Sequence, residues 1–257
     1  MNFSNQEILN ITNTIKSCLR NKFKNYNPKG VEKPFHFRLL GRDRMELFAF
    51  IQSLNTTFGT SIFEPVAAKV SERKFNEIHY QYEVGDEISE SAQREIQNII
   101  DDLSIGKDVN KIEELNRIRK VCNSGKTHKL RPVKVDLYLK DENDEIYLFD
   151  LKTAKPNKSN FKDFKRTLLE WAAIMFHKNS SAKIHTLIAI PYNPYEPKPY
   201  QFWTVKGMID LDQELKVAKD FWDFLGGKDA YEDLLDCFEK AGNEMRDEIN
   251  KYFLRFK

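Results

Sequence analysis

Cysteine is scarce in this 257-residue chain. Cys18, Cys122 and Cys237 are odd in number and far apart, and no C-x-x-C pair is present. That excludes a disulfide framework and argues against a structural zinc site. None of the five histidines (His36, His79, His128, His177, His185) pairs with another at metal-ligand spacing, which points away from zinc chemistry. No apolar run approaches the roughly 20 residues that a membrane span needs. The opening MNFSNQEILN lacks the basic-then-apolar order of a signal peptide. These absences predict a reducing, cytoplasmic setting. The segment SGKTHK (124–129) contains GKT without the upstream glycine of a phosphate-binding loop, so it reads as a basic loop. There is no internal repeat or low-complexity linker. A net charge of +2 leaves only the placement of charge to speak for or against a polyanionic partner.

The 40% hydrophobic, 31% charged composition is that of a globular protein. Helical spacing appears over 4–22 (Ile8, Ile11, Ile15, Leu19, with Ser4 as a cap), over 43–56, over 89–103 and over 109–121. TTFG interrupts the second of these, and Ser61 is placed to cap a further helix through Val66 and Val70, with Pro65 in its first turn. The pattern then changes to alternation. VKVDLYLK and EIYLFDLK flank the polar turn DEND, which predicts a β-hairpin. A helix at 161–177, a buried strand in IHTLIAIPY, a Pro-rich loop, a short FWTV strand and a mostly helical 211–256 follow. This order predicts an α/β fold, a central mixed sheet flanked by helices, forming one domain over 1–257 with a helical C-terminal part.

The hairpin carries the chemistry. With its turn centred on Glu142–Asp144, Asp136 falls opposite Asp150, their Cβ atoms roughly 5 Å apart. Lys152 lies two residues beyond Asp150 and so shares its face. Opposed carboxylates in apolar strands are destabilising unless a cation neutralises them, and hard carboxylate oxygens suit Mg2+. Such an ion polarises a phosphate and activates water, while the lysine orients the nucleophile.

PVKVDLYLKDENDEIYLFDLKTAKPN resembles the active-site hairpin of PD-(D/E)XK nucleases, although Pro132 stands four residues before Asp136 rather than beside it. Together with SLNTTFGTSIFEPVA (53–67) and FKDFKRTLLEWAA (161–173), it is similar to type II restriction endonucleases of the TdeIII group over about 35–205, the expected catalytic core. The resemblance implies a sequence-specific, restriction-endonuclease-like enzyme acting on double-stranded DNA with Mg2+, Mn2+ being a possible substitute. Asp136 and Asp150 would be metal ligands, Lys152 the catalytic lysine and Glu64 an additional acid. A homodimer and a short GGNCC-like site are also implied. A repair or structure-selective nuclease, or an inactive DNA-binding domain on the same scaffold, are the alternatives.

Charge placement agrees. No acid occurs between Leu115 and Val135, where Arg117, Arg119, Lys120, Lys126, Lys129, Arg131 and Lys134 lie, and six basic residues occupy 152–166 against Asp163 alone. Lys126, Lys129, Arg131, Lys155, Asn157 and Lys158 are therefore the expected DNA contacts. Glu170 is expected to pair with Arg166. The acid-rich stretch 229–248 should face away from DNA.

Overall fold

The computed structural model describes residues 3–27, 34–152, 161–201 and 207–254, without the side chains of 56, 57 and 132. The chain divides into two compact units, one formed by 1–70 and 227–257, the other by 71–226.

The first unit is helical. Helix α1 (Asn5–Asn25) opens with the expected Ser4 cap, and Glu7 returns the bond to complete a capping box. Helices α2 (Pro34–Leu40) and α3 (Arg42–Phe58) follow. The break expected at TTFG is absent. The helix instead widens into a π-helical turn at Gly59–Phe63 that includes Ser61, and α4 (Glu64–Ser71) begins directly after it, with Pro65 in its first turn where its missing N–H costs nothing. Helices α9 (Ala230–Glu244) and α10 (Arg246–Leu254) complete this unit. Three of their acids make bonds within it. Glu244 pairs with Lys16, Glu248 with Arg20, and Asp233 accepts the Phe3 N–H.

The second unit is a five-stranded mixed sheet in the order β1 (Glu77–Ser89), β2 (Thr127–Lys140), β3 (Glu145–Leu151), β4 (Lys183–Ile190), β5 (Leu215–Val217). β1, β2 and β3 are antiparallel to one another, β4 adds to β3 in parallel, and β5 adds to β4 in parallel. Helices α5 (Glu90–Ser104), α6 (Lys111–Val121) and α7 (Phe161–Lys178) enclose a core built on Ile96, Ile99, Ile118, Tyr138, Leu148, Leu168 and Trp171. The side chains alternating with these meet α8 (Lys219–Gly226), where Phe149 lies 5.5 Å from Phe221 and Tyr147 lies 5.0 Å from Phe224. The mixed sheet between helices is a restriction-endonuclease-like α/β fold. No helix among the described residues is long and apolar enough to cross a membrane.

Three strand features depart from the sequence expectation. β1 was not anticipated, because Glu77, Glu83, Asp86 and Glu87 obscure its alternation and register shifts at Glu83–Gly85–Glu87 interrupt its period. β2 begins at Thr127, so half of the supposed basic loop is strand. β5 has only three residues, too short to leave a pattern. At Gly85 (φ 135°) a Cβ would come within 3.0 Å of Ile174 and Lys178, so only glycine lets β1 approach α7 here. The strand expected in FWTV lies outside the described residues.

A buried ionic network ties the sheet to its helices. Lys165 of α7, fully buried, places its Nζ 2.5 Å from Glu114 of α6 and 2.6 Å from Glu214, just before β5. Lys111 of α6 donates to the other Glu214 oxygen at 2.6 Å and to Thr186 of β4 at 2.7 Å. Burial pushes the Glu214 carboxyl up, but the two ammonium groups outweigh it and hold it below the usual carboxylate range.

Candidate active site

The hairpin forms in the expected register, with Leu137 opposite Phe149 and Lys140 opposite Ile146. The turn closes through Asp141, whose Oδ1 accepts the Asn143 and Glu145 N–H groups, while Asp144 takes the left-handed conformation (φ 59°) that an Asx residue tolerates. This register sets Asp136 and Asp150 one step beyond the last paired residues, at the end of the hairpin away from its turn.

The Asp136 carboxylate reaches across to β3, where Oδ2 accepts the backbone N–H of Leu151 at 2.7 Å. Asp150, 7% exposed, is set in register with Ile188 of β4 and holds Lys152, Oδ1 to Nζ 2.7 Å. Lys152 follows the last β3 residue, yet its backbone remains anchored, since its N–H donates to Ala189 O at 2.8 Å. Its ammonium lies 4.8 Å from the centre of the Phe164 ring on α7. Two carboxylates and an ammonium thus converge at the C-terminal end of β3. The Lys152 side chain is 28% exposed, sheltered but open to a ligand. Gln81 of β1 donates to Asp136 Oδ1 at 3.4 Å. Neither Gln81 nor Phe164 was singled out as a site residue in the sequence, because both contacts depend on elements distant from the hairpin.

Glu64 belongs to the helical unit, where it opens α4 and is 1% exposed. A role as a mere exposed carboxylate at a helix N-terminus does not fit that burial. Among the described residues, no three His, Cys, Asp or Glu side chains gather as a metal-holding group.

The basic residues divide. Lys126, Lys129 and Arg131 are exposed, with Lys129 and Arg131 in the first half of β2. At about 3.4 Å per residue, Arg131 and Lys129 lie some 17 and 24 Å along the strand from Asp136. Arg117 and Arg119 do not add to a free basic face: Arg117 pairs with Glu95 (2.6 Å) and Asp102 (3.1 Å), and Arg119 packs over Phe176 and donates to Ala182 O. Lys165 is withdrawn into the buried network. Lys155, Asn157 and Lys158 lie outside the described residues. The expected Glu170–Arg166 pair does not form. Arg166 donates to Gln97, and burial raises the Glu170 carboxyl, a shift Arg166 only partly offsets. Tyr195 packs edge-on to Tyr200, so these loop aromatics serve local packing.

Two acids and a lysine at the end of a hairpin are compatible with phosphodiester hydrolysis, and the comparisons give that chemistry a family. The model of the HinfI type II restriction endonucleases matches residues 3–242. The type II restriction enzyme HgiCII of Herpetosiphon aurantiacus is 26% identical over 227 residues, covering 86% of this chain and 82% of its own. HgiEI of the same organism is 24% identical over 230 residues, with 87% and 82% covered. MjaII of Methanocaldococcus jannaschii is 26% identical over 200 residues, with 72% of this chain and 52% of that enzyme covered. The match runs through both units and takes in β1, the hairpin and α7, so the repair-nuclease and inactive-domain alternatives give way: the chain belongs to the HinfI family of type II restriction endonucleases, sequence-specific nucleases that act on DNA.

Proposed function

We propose that this endonuclease is a Mg2+-dependent enzyme of the PD-(D/E)XK type whose catalytic centre is Asp136, Asp150 and Lys152. The observation that carries the reading is the Asp150–Lys152 ion pair beside an Asp136 carboxylate turned toward the same strand end. The donor set fits the metal: two hard carboxylates, with the remaining positions left to water and substrate phosphate, is how Mg2+ is commonly held. The family resemblance adds Glu64 as a further acid for the metal. When bound, the cation supplies charge neutralisation at the phosphate and a more acidic water.

The residues of the chain do the rest. Asp136 and Asp150 hold the charge that fixes the cation. Lys152, steered by Asp150 and the Phe164 ring, presents its ammonium to the water or to the phosphate oxygen on which negative charge builds. Lys126, Lys129 and Arg131, with Lys155, Asn157 and Lys158, are proposed to grip the DNA backbone, which positions the duplex without reading it. Both units are read as parts of one nuclease. Cutting both strands of a two-fold symmetric site requires two such centres, so the working form is proposed to be a homodimer. A GGNCC-like site is carried over from the sequence resemblance.

Incubation of the purified protein with unmethylated phage DNA and Mg2+, with and without EDTA, tests the proposal. Discrete, reproducible fragments that vanish with EDTA and return with added Mg2+ are expected. Cleavage that persists in EDTA would overturn the metal-dependent reading, and a smear would overturn the specific site.

A further inference from the structure

Gln81 lies in the middle of β1 with φ 53°, a left-handed conformation that residues other than Gly, Asn and Asp seldom adopt. No register shift accompanies it. Tyr80 stands opposite Leu137 and Tyr82 opposite Val135, so Gln81 falls across from Asp136, while the irregularities of the strand begin only at Glu83. The strained residue is therefore not a by-product of a bulge.

It does change the faces of the strand. In an unbroken pleat His79 and Tyr82, three residues apart, would project to opposite sides. Here their rings stack 5.2 Å apart, and Tyr82 lies 4.5 Å from Tyr138. One left-handed residue reverses the pleat, and it does so beside a proposed metal ligand. Backbone strain of this kind persists only where the surroundings enforce it, and it collects at functional sites.

The result is a carboxylate held from two neighbouring strands. Gln81 Nε2 of β1 donates to Asp136 Oδ1 at 3.4 Å, and the Leu151 N–H of β3 donates to Oδ2 at 2.7 Å. Donors reaching the carboxylate from two strands fix the plane of the group. The Gln81 contact is the longer of the two.

We infer that Gln81 is a positioning residue for the nuclease reaction, a strained amide that orients Asp136 toward the divalent cation. The inference rests on the reading of Asp136 as a metal ligand. Groups that orient a metal ligand are commonly worth 10- to 100-fold in metal affinity or activity.

Two substitutions separate this role from a structural one. Gln81→Gly removes the amide and relieves the strain, whereas Gln81→Ala removes the amide and keeps the strain. With duplex DNA present, both variants are expected to need roughly 10-fold more Mn2+ for half-saturation, read directly from the loss of the free-ion EPR signal. Cleavage at limiting metal should fall by a similar factor, with little change in KM for DNA. The melting temperatures should diverge: Gln81→Gly at or up to about 4 °C above the parent, Gln81→Ala at or below it. A Gln81→Gly protein with parental Mn2+ affinity and cleavage would overturn the inference, as would losses in the two variants that follow their stabilities. Asp136→Ala is measured alongside. If it still cleaves, the reading of Asp136 fails and the inference with it; if it is inert while Gln81→Gly is unimpaired, the inference fails alone.

Discussion

Of the places in the sheet-containing unit where lysines meet carboxylates, two form a contrast. In the buried network Lys111, Lys165, Glu114 and Glu214 balance two charges of each sign, and Lys165 and Glu214 are fully enclosed. At the end of the hairpin, Asp136 and Asp150 outnumber Lys152, whose ammonium is partly open. The first arrangement leaves nothing for a ligand to do: its charges are neutralised, and its geometry pins α6, α7, β4 and the start of β5 together. The second is reachable by solvent through the Lys152 side chain. Burial and perturbed titration single out the first, whereas the proposed catalytic centre is the second.

The comparison breaks most sharply under substitution. Asp150→Asn should reduce cleavage by roughly a thousand-fold or more, as removal of a group that organises transition-state charge commonly does. Its melting temperature should stay close to the parent's, because opposed like charges are relieved rather than created. Lys165→Met is the converse. Stripping the shared cation from Glu114 and Glu214 should cost about 3–5 kcal/mol of unfolding free energy, visible as a lower urea midpoint. The hairpin site would remain intact in whatever fraction stays folded.

Acid sharpens the contrast. Glu214 has its pKa depressed in the folded protein, so its stabilising contribution is complete above the ordinary carboxylate value of about 4.3 and is lost as pH falls through the depressed value. Urea midpoints measured from pH 7 down to pH 3 should fall at the acid end, and fall less steeply in Lys165→Met, where the cause of the depression is gone. Smallest of all is Arg117→Ala. Its pairs with Glu95 and Asp102 sit near solvent, at 30% exposure for the Arg117 side chain, and should contribute no more than about 1 kcal/mol. An effect as large as that of Lys165→Met would erase the distinction between exposed and buried pairs.

The parts of the fold that were legible in the sequence are those where local pattern and tertiary role agree. The hairpin register followed from two alternating strands around DEND, and it brought Asp136, Asp150 and Lys152 to one strand end. Ser4 announced its helix. What stayed hidden depended on contacts remote in sequence. Lys165 looks like one more basic residue beside the site, because nothing near it in the chain reveals Glu114 or Glu214. Arg117 and Arg119 were likewise read as a free basic surface, when one is neutralised by α5 and the other spread over Phe176. Glu64, an additional acid by resemblance, gave no local sign of its burial. At TTFG the sequence offers β-branched residues and a glycine, yet the chain passes through as a π-helical turn, since a wider turn keeps the helix continuous where an ordinary stop would end it.

The most direct test of the account is Lys152→Ala, assayed by single-turnover cleavage of phage DNA at enzyme excess alongside a thermal melt. The account predicts melting within a few degrees of the parent, intact DNA binding and no discrete fragments. Site-specific cleavage at near-parental rate by the folded variant would contradict it and move the catalytic centre away from the hairpin.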